Sequence, residues 1–438
     1  MIETFRNIFR IPELRKRIFY TLGLLIIYRI GGHIPTPGID TVALSEFFKE
    51  SQNTLFGMYD MFVGGAFERA TIFALGIMPY ISASIIIQLL GTIYEPIRQL
   101  QREGQEGRAK ITQYTRYGTV LLSIVQALGI SVFLQSVRTS AGESVVLPHL
   151  SGIWFKVLTV ITMTSGTIFI MWLGEQITNR GIGNGISLII FIGIVAEIPT
   201  AVLREFSALQ SHTRSIYAEF FILAIIFAMT AFIVWMTQAQ RKIPIQTPKK
   251  IVGRKVYGGQ ASYLPLKVNT AGVIPVIFAS SIMMVPSTLL SFFPNNDLMQ
   301  SAANQMAPGS VLYSLFYGLL IVFFTYFYTA IVFNPVDIAD NLKKSGGFIP
   351  GIRPGQKTSE FLDNVLTRIT LPGACFLAFI SVVPFLMMGS MNVQFYFGGT
   401  SVLIVIGVAL DTIQQLESHL MMRHYDGFLK KGRIRGRR

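Results

Sequence analysis

The chain contains 438 residues, of which 51% are hydrophobic and 14% are charged, and its formal net charge is +14. Soluble domains carry about a quarter of their residues as charged side chains, so this composition excludes an ordinary soluble enzyme. The single cysteine, Cys375, excludes a disulfide framework. Together with only five scattered histidines it also excludes a cysteine-based zinc site.

Long apolar segments without charged residues recur along the chain. A membrane-spanning helix needs roughly 20 apolar residues, and windows of that length predict about ten transmembrane helices. The predicted spans are residues 18–36, 70–93, 114–137, 154–176, 184–203, 216–239, 269–292, 312–333, 368–389 and 396–416. The neutral run 369–410 is too long for one helix, and Gly389-Ser390-Met391-Asn392 predicts the turn of a helical hairpin.

Lysine and arginine are distributed unevenly between the two sets of alternating loops. The N-terminus, the loops near 94–116, 177–183, 240–268 and 334–368, and the C-terminal tail hold 30 of the 37 basic residues. The loops of the other set hold six. Basic residues concentrate on the cytoplasmic side of membrane proteins, so we expect both termini in the cytoplasm. The N-terminal apolar stretch continues as a full span, which is not typical of a cleavable signal peptide.

Two of these loops are rich in basic residues. Loop 240–268 contains seven of them and no acidic residue, and its Pro, Gly and Tyr residues predict an ordered hairpin. Loop 334–368 carries Lys343-Lys344 and the segment from Gly351 to Gly355. Such surfaces attract phosphate backbones or acidic proteins, but they also orient the chain and attract anionic lipid. Charge alone leaves both interpretations open, and the basic C-terminal tail is typical of a solvated or lipid-facing segment.

Three common motifs for nucleotide binding, metal binding and nucleophilic catalysis are absent from the sequence. It contains no P-loop, no His-Glu-x-x-His metal motif and no Gly-x-Ser-x-Gly nucleophile motif. The glycine-rich segment from Gly181 to Gly185 follows a membrane helix rather than a strand, so we expect it to favour close helix packing. The ionisable residues near predicted spans are Arg29, Glu175, Glu197 and Asp411. We interpret them as snorkelling side chains or helix-end partners, which gives a proton or sodium relay little support.

Five groups of motifs extend over nearly the whole chain. They are Ile30-Gly31 with Ile34 to Asp40, Phe73 to Ser84, Trp172 to Thr178 with Arg180 to Gly185, Leu264 to Asn269, and Phe397 to Ser401. Together they resemble the SecY family of protein-translocation channels in its bacterial form. The resemblance implies an all-α polytopic membrane protein with two inverted five-helix halves, 1–208 and 209–438. These halves would form a clamshell around an hourglass pore.

The resemblance also implies roles for individual residues. A pore ring of aliphatic side chains maps onto Ile77, Ile81, Ile186, Ile190, Ile277 and Ile404. A plug near 57–67, which would lie beneath the ring and move aside, includes Met61, Phe62, Gly64 and Gly65. A lateral gate maps onto Ser82, Gln126 and Asn269. The residues that would dock a motor or the ribosome are Arg241, Arg254, Lys255 and Arg353.

The implied function is a passive protein-conducting channel, without enzymatic activity or cofactor, in the bacterial cytoplasmic (inner) membrane. It would translocate unfolded preproteins and release hydrophobic segments laterally, driven by a SecA-like ATPase or by the ribosome. Further expected partners are SecE-like and SecG-like small membrane subunits, signal sequences and anionic lipids. A small-solute secondary transporter is the alternative and would require paired midplane charges. An intramembrane protease is a more distant alternative and would require a nucleophile or a metal site.

Overall fold

A computed structural model describes residues 11–50, 55–138, 144–150, 152–211, 216–246, 250–252, 255–257, 261–292, 301, 305, 309–391 and 399–431. The helices are α1 (Pro12–Gly31), α2 (Thr41–Glu50), α3 (Leu55–Val63), α4 (Met78–Ile93), α5 (Glu95–Arg102), α6 (Gln105–Ser136), α7 (Ile153–Arg180), α8 (Gly185–Gln210), α9 (Ile216–Gln238), α10 (Ile274–Met283), α11 (Val285–Phe292), α12 (Val311–Val332), α13 (Pro335–Lys344), α14 (Gln356–Met391) and α15 (Gly399–Lys431). The strands are β1 (Gln240–Gln246), β2 (Lys250–Val252), β3 (Lys255–Tyr257) and β4 (Ala261–Lys267).

Within the described residues, seven helices are long and apolar enough to cross a bilayer. They are α6, α7, α8, α9, α12, α14 and α15. Helices α4 and α5 add an eighth if the pair, bent by 104°, is counted as one span. The chain is therefore a multi-pass helical membrane protein, as the sequence predicts. Helix α1 covers residues 18–31 of the span predicted at 18–36, and α10 and α11, of 10 and 8 residues, lie within the span predicted at 269–292.

Three predicted boundaries are wrong, and proline accounts for two of them. The span predicted at 70–93 begins as a helix only at Met78, with Pro79 in its first turn, where the missing N–H costs nothing. The span predicted at 269–292 is interrupted at Met284, because Pro286 has no N–H to donate to the carbonyl oxygen of Ile282, four residues earlier, and its ring crowds that carbonyl. Residues 389–391, predicted as a turn, continue α14, whereas Asn392 lies outside the described residues.

The chain divides into two compact units. Unit 1 comprises Met1–Thr213, Ser281–Pro308 and Val408–Arg438, and unit 2 comprises Arg214–Ser280 and Gly309–Gly407. In unit 1, α6 packs against α4, α7 and α11, and α3 packs against α8. In unit 2, α12 packs along α14. The boundary between the units falls inside α10, between Ser280 and Ser281.

Loop 240–268 forms the ordered hairpin that its composition predicts. Strand β1 pairs antiparallel with β4 from Gln240 opposite Lys267 to Gln246 opposite Ala261, and β2 pairs with β3. Side chains of a strand alternate between its two faces, and Ile243 is buried whereas Lys242 is exposed. The hairpin therefore has an apolar face that packs and a basic face that meets solvent.

Candidate functional site

Four of the six predicted pore-ring residues lie in unit 1, at the starts of α4 and α8. The N–H of Ile81 donates to the carbonyl oxygen of Ile77 at 3.2 Å, which places the two side chains on one face of α4. Ile77, Ile81 and Ile190 are at most 4% exposed. Ile186 is only partly buried, and its Cγ1 would lie 3.3 Å from a Cβ on Gly174, so it packs against α7.

The other two predicted pore-ring residues lie in unit 2. Ile277 on α10 is 5% exposed, and Ile404 on α15 is fully buried. Val273 Cγ1 occupies the space where a Cβ on Gly407 would lie, so the start of α10 packs closely against α15. Each unit thus contains buried branched aliphatic side chains at the predicted positions. Their assembly into one ring stays a prediction.

The predicted plug consists of a nine-residue helix, α3, and a turn of two glycines. Gly64 and Gly65 adopt φ angles of 71° and 77°, the left-handed region that favours glycine. A Cβ on Gly64 would lie 2.8 Å from the Cα of Gly193, and one on Gly65 would lie 2.8 Å from Glu197 Oε1. The chain therefore leaves α3 through a turn that fits closely against α8.

Two side chains of α1 bind the main chain of this turn. The Tyr28 hydroxyl donates to the carbonyl oxygen of Val63 at 3.3 Å, and Arg29 Nη1 donates to the carbonyl oxygen of Gly64 at 3.2 Å. Phe62, one residue earlier, is 4% exposed. Arg29 thus lies at a helix end and has a hydrogen-bond partner. The sequence analysis favoured either this arrangement or a snorkelling side chain.

Asp60 closes the plug into a compact loop and was not selected from the sequence. Its Oδ1 accepts hydrogen bonds from the N–H groups of Phe67 and Glu68, both at 2.8 Å. Burial of the carboxyl raises the pKa of Asp60 to about 7, against the opposing effect of these two hydrogen bonds. The nearby carboxylates of Glu68 and Glu197 raise it further. The available signal was an acidic residue in an otherwise apolar segment.

One of the predicted lateral-gate residues, Ser82, contacts a serine that the sequence analysis did not select. Ser82 Oγ lies 2.8 Å from Ser281 Oγ near the end of α10, and both belong to unit 1. Gln126 Oε1 and Asn269 Oδ1 are buried, and neither has a hydrogen-bond partner among the described residues. Ser281 was missed because a serine within an apolar helix is common. The available signal was the pair Ser280-Ser281 in one apolar span.

The glycine-rich segment Gly181–Gly185 is a junction of helices. Three of its N–H groups donate to side-chain oxygens of three different helices. The acceptors are Thr21 Oγ1 on α1, Thr178 Oγ1 on α7 and Gln415 Oε1 on α15, at 3.1, 2.9 and 3.0 Å. A Cβ on Gly185 would overlap the carbonyl oxygen of Gly174, so the predicted close helix packing is confirmed. These N–H groups are occupied and cannot hold a phosphate.

The two basic loops form one folded surface within unit 2. The N–H of Gln246 donates to the carbonyl oxygen of Phe348 at 2.9 Å, and the N–H of Phe348 donates back to Gln246 at 3.0 Å. An apolar cluster lies beneath this connection. Its buried members are Ile243, Leu266, Ile349, Leu362, Val365, Leu366 and Ile369. Packing between the loops therefore fixes the geometry of the basic residues that they carry.

Exposed basic side chains cover this surface. They are Arg241, Lys242, Lys267, Lys343, Lys344 and Arg353. The Thr358 hydroxyl donates to the carbonyl oxygen of Arg353 at 2.9 Å, which fixes the backbone of the second loop there. Arg254 lies outside the described residues, as do the side chains of Lys255 and Met61.

Known proteins resemble this chain over most of its length. The SecY family model matches residues 71–413. The protein translocase subunit SecY of Haemophilus influenzae is 47% identical over 427 residues, which is 97% of this chain and 96% of that relative.

Solved structures show the same fold at lower identity. One is a SecY protein whose plug domain stabilises the closed state of the translocation channel and maintains a membrane seal. It matches with a TM-score of 0.66 at 20% identity and covers 92% of each chain. Sec61 in the canine ribosome-channel complex from the endoplasmic reticulum matches with a TM-score of 0.63 at 19% identity, also over 92% of each chain. Given the extent of the family-model match and the identity to the bacterial relative, the chain belongs to the SecY family.

Proposed function

We propose that this chain conducts unfolded polypeptides through a passage walled by aliphatic side chains, closed at rest by the plug. As a member of the SecY family, the chain is a protein-conducting channel. The observation that carries the proposal is the burial of five of the six pore-ring isoleucines, each at most 5% exposed. Branched aliphatic side chains make a constriction that is dry to ions and has no hydrogen-bonding group to select a sequence.

In this proposal residues 1–208 and 209–438 are two inverted halves around an hourglass pore in the bacterial cytoplasmic membrane. The 30 basic residues in one set of loops support a cytoplasmic position for both termini and for the basic surface. The SecY relative whose plug domain seals the membrane supports the same role for α3 and the Gly64-Gly65 turn here.

The basic surface of unit 2 is proposed to dock the partner that drives transport. Its exposed arginines and lysines favour the phosphate backbone of ribosomal RNA or the acidic surface of a SecA-like ATPase. The canine Sec61 relative in a ribosome-channel complex supports the ribosome as one such partner. SecE-like and SecG-like small subunits and anionic lipids complete the proposed set of partners.

The contact between Ser82 and Ser281 is proposed to be part of the closed lateral gate, together with Gln126 and Asn269. Hydrogen bonds between helices within a bilayer contribute only about 0.6–2 kcal/mol each. An apolar signal sequence that binds the open gate better than the closed one therefore needs little binding energy to shift the equilibrium.

A small-solute transporter is less well supported by the charged residues near the spans. Arg116 binds Glu175 through two hydrogen bonds, Nε to Oε1 at 2.8 Å and Nη2 to Oε2 at 2.6 Å. This pair joins α6 to α7. Glu175 therefore has the structural partner that the sequence analysis favoured for it, and it is not needed for an ion relay.

The first test addresses the pore ring. Changing Ile81 and Ile190 together to serine should raise the ion conductance of resting channels in a planar bilayer several-fold, because hydroxyls wet a constriction that isoleucine keeps dry. Changing the same two residues to valine keeps the walls aliphatic and should leave the conductance low. An unchanged conductance in the serine variant would count against the ring.

The second test addresses the lateral gate. In a Cys375→Ser background, Ser82→Cys with Ser281→Cys should form a disulfide, since the two oxygens they replace are 2.8 Å apart. Oxidation should block signal-sequence entry in vesicles, and reduction should restore it, whereas either single cysteine should be insensitive to oxidant. Normal entry with the disulfide formed would refute the gate assignment.

The third test addresses docking. Arg353→Glu should weaken ribosome binding to reconstituted vesicles roughly tenfold and reduce its salt dependence, because it removes a phosphate contact and adds repulsion. Lys156→Glu, a charge reversal in the first turn of α7, next to a loop of the opposite set, should bind ribosomes normally. Equal binding by both variants would contradict the docking role of the basic surface.

A further inference from the structure

Charged side chains lie close to the turn Gly64-Gly65, by which the chain leaves α3 and which is called the exit turn below. Arg29 on α1 donates to the carbonyl oxygen of Gly64, and Glu197 on α8 approaches Gly65 closely. Glu197 is itself oriented by the hydroxyl of Thr200, which donates to Glu197 Oε2 at 3.2 Å. The exit turn therefore lies between charged side chains of two different helices, and Arg29 binds its main chain.

Asp60 links this exit turn to the rest of the plug. The Asp60 carboxyl accepts hydrogen bonds from the N–H groups of Phe67 and Glu68, which follow the exit turn. Asp60 itself lies on α3, which precedes the exit turn. The plug can thus move as one closed loop without breaking these two hydrogen bonds. Movement must break the contacts to α1 and α8 and the hydrogen bond that the Tyr59 hydroxyl donates to the carbonyl oxygen of Leu75 at 3.0 Å.

We propose that Asp60, Arg29 and Glu197 form a proton-sensitive latch, in which Arg29 anchors the exit turn and deprotonation of Asp60 beside Glu197 favours release of the plug. This inference rests on the proposed role of the plug. The charged groups that face Asp60 are Glu68 in its own loop and Glu197 on α8, both acidic. Arg29 reaches the neighbouring carbonyl, and Arg69 Nη2 lies 3.8 Å from the Cβ position of Gly65.

The direction of the pH dependence follows from the environment of the carboxyl in each state. With the plug seated, burial raises the pKa of Asp60 to about 7, whereas a solvated aspartate has a pKa of about 3.9. The seated state therefore binds the proton more tightly, and acid favours closure. The opening equilibrium should rise by up to about tenfold per pH unit between about pH 5 and pH 7 and then level off.

The test uses the full channel complex in planar bilayers, with the opening frequency measured from pH 5 to pH 8. Asp60→Asn should abolish the pH dependence, because an asparagine oxygen still accepts both N–H groups but does not titrate in this range. Asp40→Asn is the matched control, because one carboxylate oxygen of Asp40 likewise accepts hydrogen bonds from two N–H groups, those of Val42 and Ala43 at the start of α2 in unit 1. This control should retain the wild-type profile.

A second variant and a second measurement separate the latch from the folding of the plug. Arg29→Met should raise the opening frequency several-fold at every pH and keep its pH dependence. In a Cys375→Ser background, the rate at which Phe62→Cys reacts with a membrane-impermeant thiol reagent is divided by the rate of free cysteine at the same pH, because thiolate formation alone speeds both reactions as pH rises. This ratio should be higher at pH 8 than at pH 5, and Asp60→Asn should remove that difference. The same pH profile in Asp60→Asn and wild type would overturn the latch.

Precursor transport into vesicles that contain the same channel variants distinguishes failure of the latch from failure of the proposed function. If precursor is transported but Asp60→Asn leaves the pH profile of the opening frequency unaltered, the latch alone is refuted. Vesicles that contain folded channel, motor and precursor but transport nothing refute the channel function itself.

Discussion

Aliphatic packing inside a bilayer is the constraint on which the rest of this structure depends. Within the bilayer, the polar groups of the backbone must find their partners in the protein, and an unpaired side-chain polar group is costly. Many hydroxyls of the spanning helices do so locally: those of Thr119, Thr325 and Thr329 each donate to a carbonyl oxygen one turn earlier on their own helix. Such hydroxyls offer no strong binding group to a passing chain, so the walls can admit many sequences.

Charged groups have a different distribution from the aliphatic walls. Arg29, Asp60 and Glu197 lie around the plug and its exit turn, and Arg116 and Glu175 pair with each other between two helices. In the proposed channel, apolar side chains would form the walls, and hydrogen bonds of modest strength would hold the plug and the gate, which must move. This separation lets a channel without a nucleotide motif respond to partners that supply the energy.

Much of the fold could be predicted from the sequence because long charge-free runs have few alternatives in a membrane. The basic hairpin was also predictable, since its Pro, Gly and Tyr residues disfavour a continuous helix. Other features depend on tertiary contacts that no local pattern encodes. These include the connection between Gln246 and Phe348 and the contact between Ser82 and Ser281. The pore-ring residues came from the resemblance, because isoleucine pairs on a membrane helix usually face lipid or another helix.

The most direct measurement of the central claim is crosslinking of a precursor arrested halfway through the channel. Photoreactive residues would replace Ile81, Ile190 and Ile404 one at a time, with exposed Ile86 on α4 as the matched control position. The account predicts crosslinks from the arrested chain to all three ring positions and none to Ile86. An arrested precursor that reacts at the control position but at none of the three would contradict it.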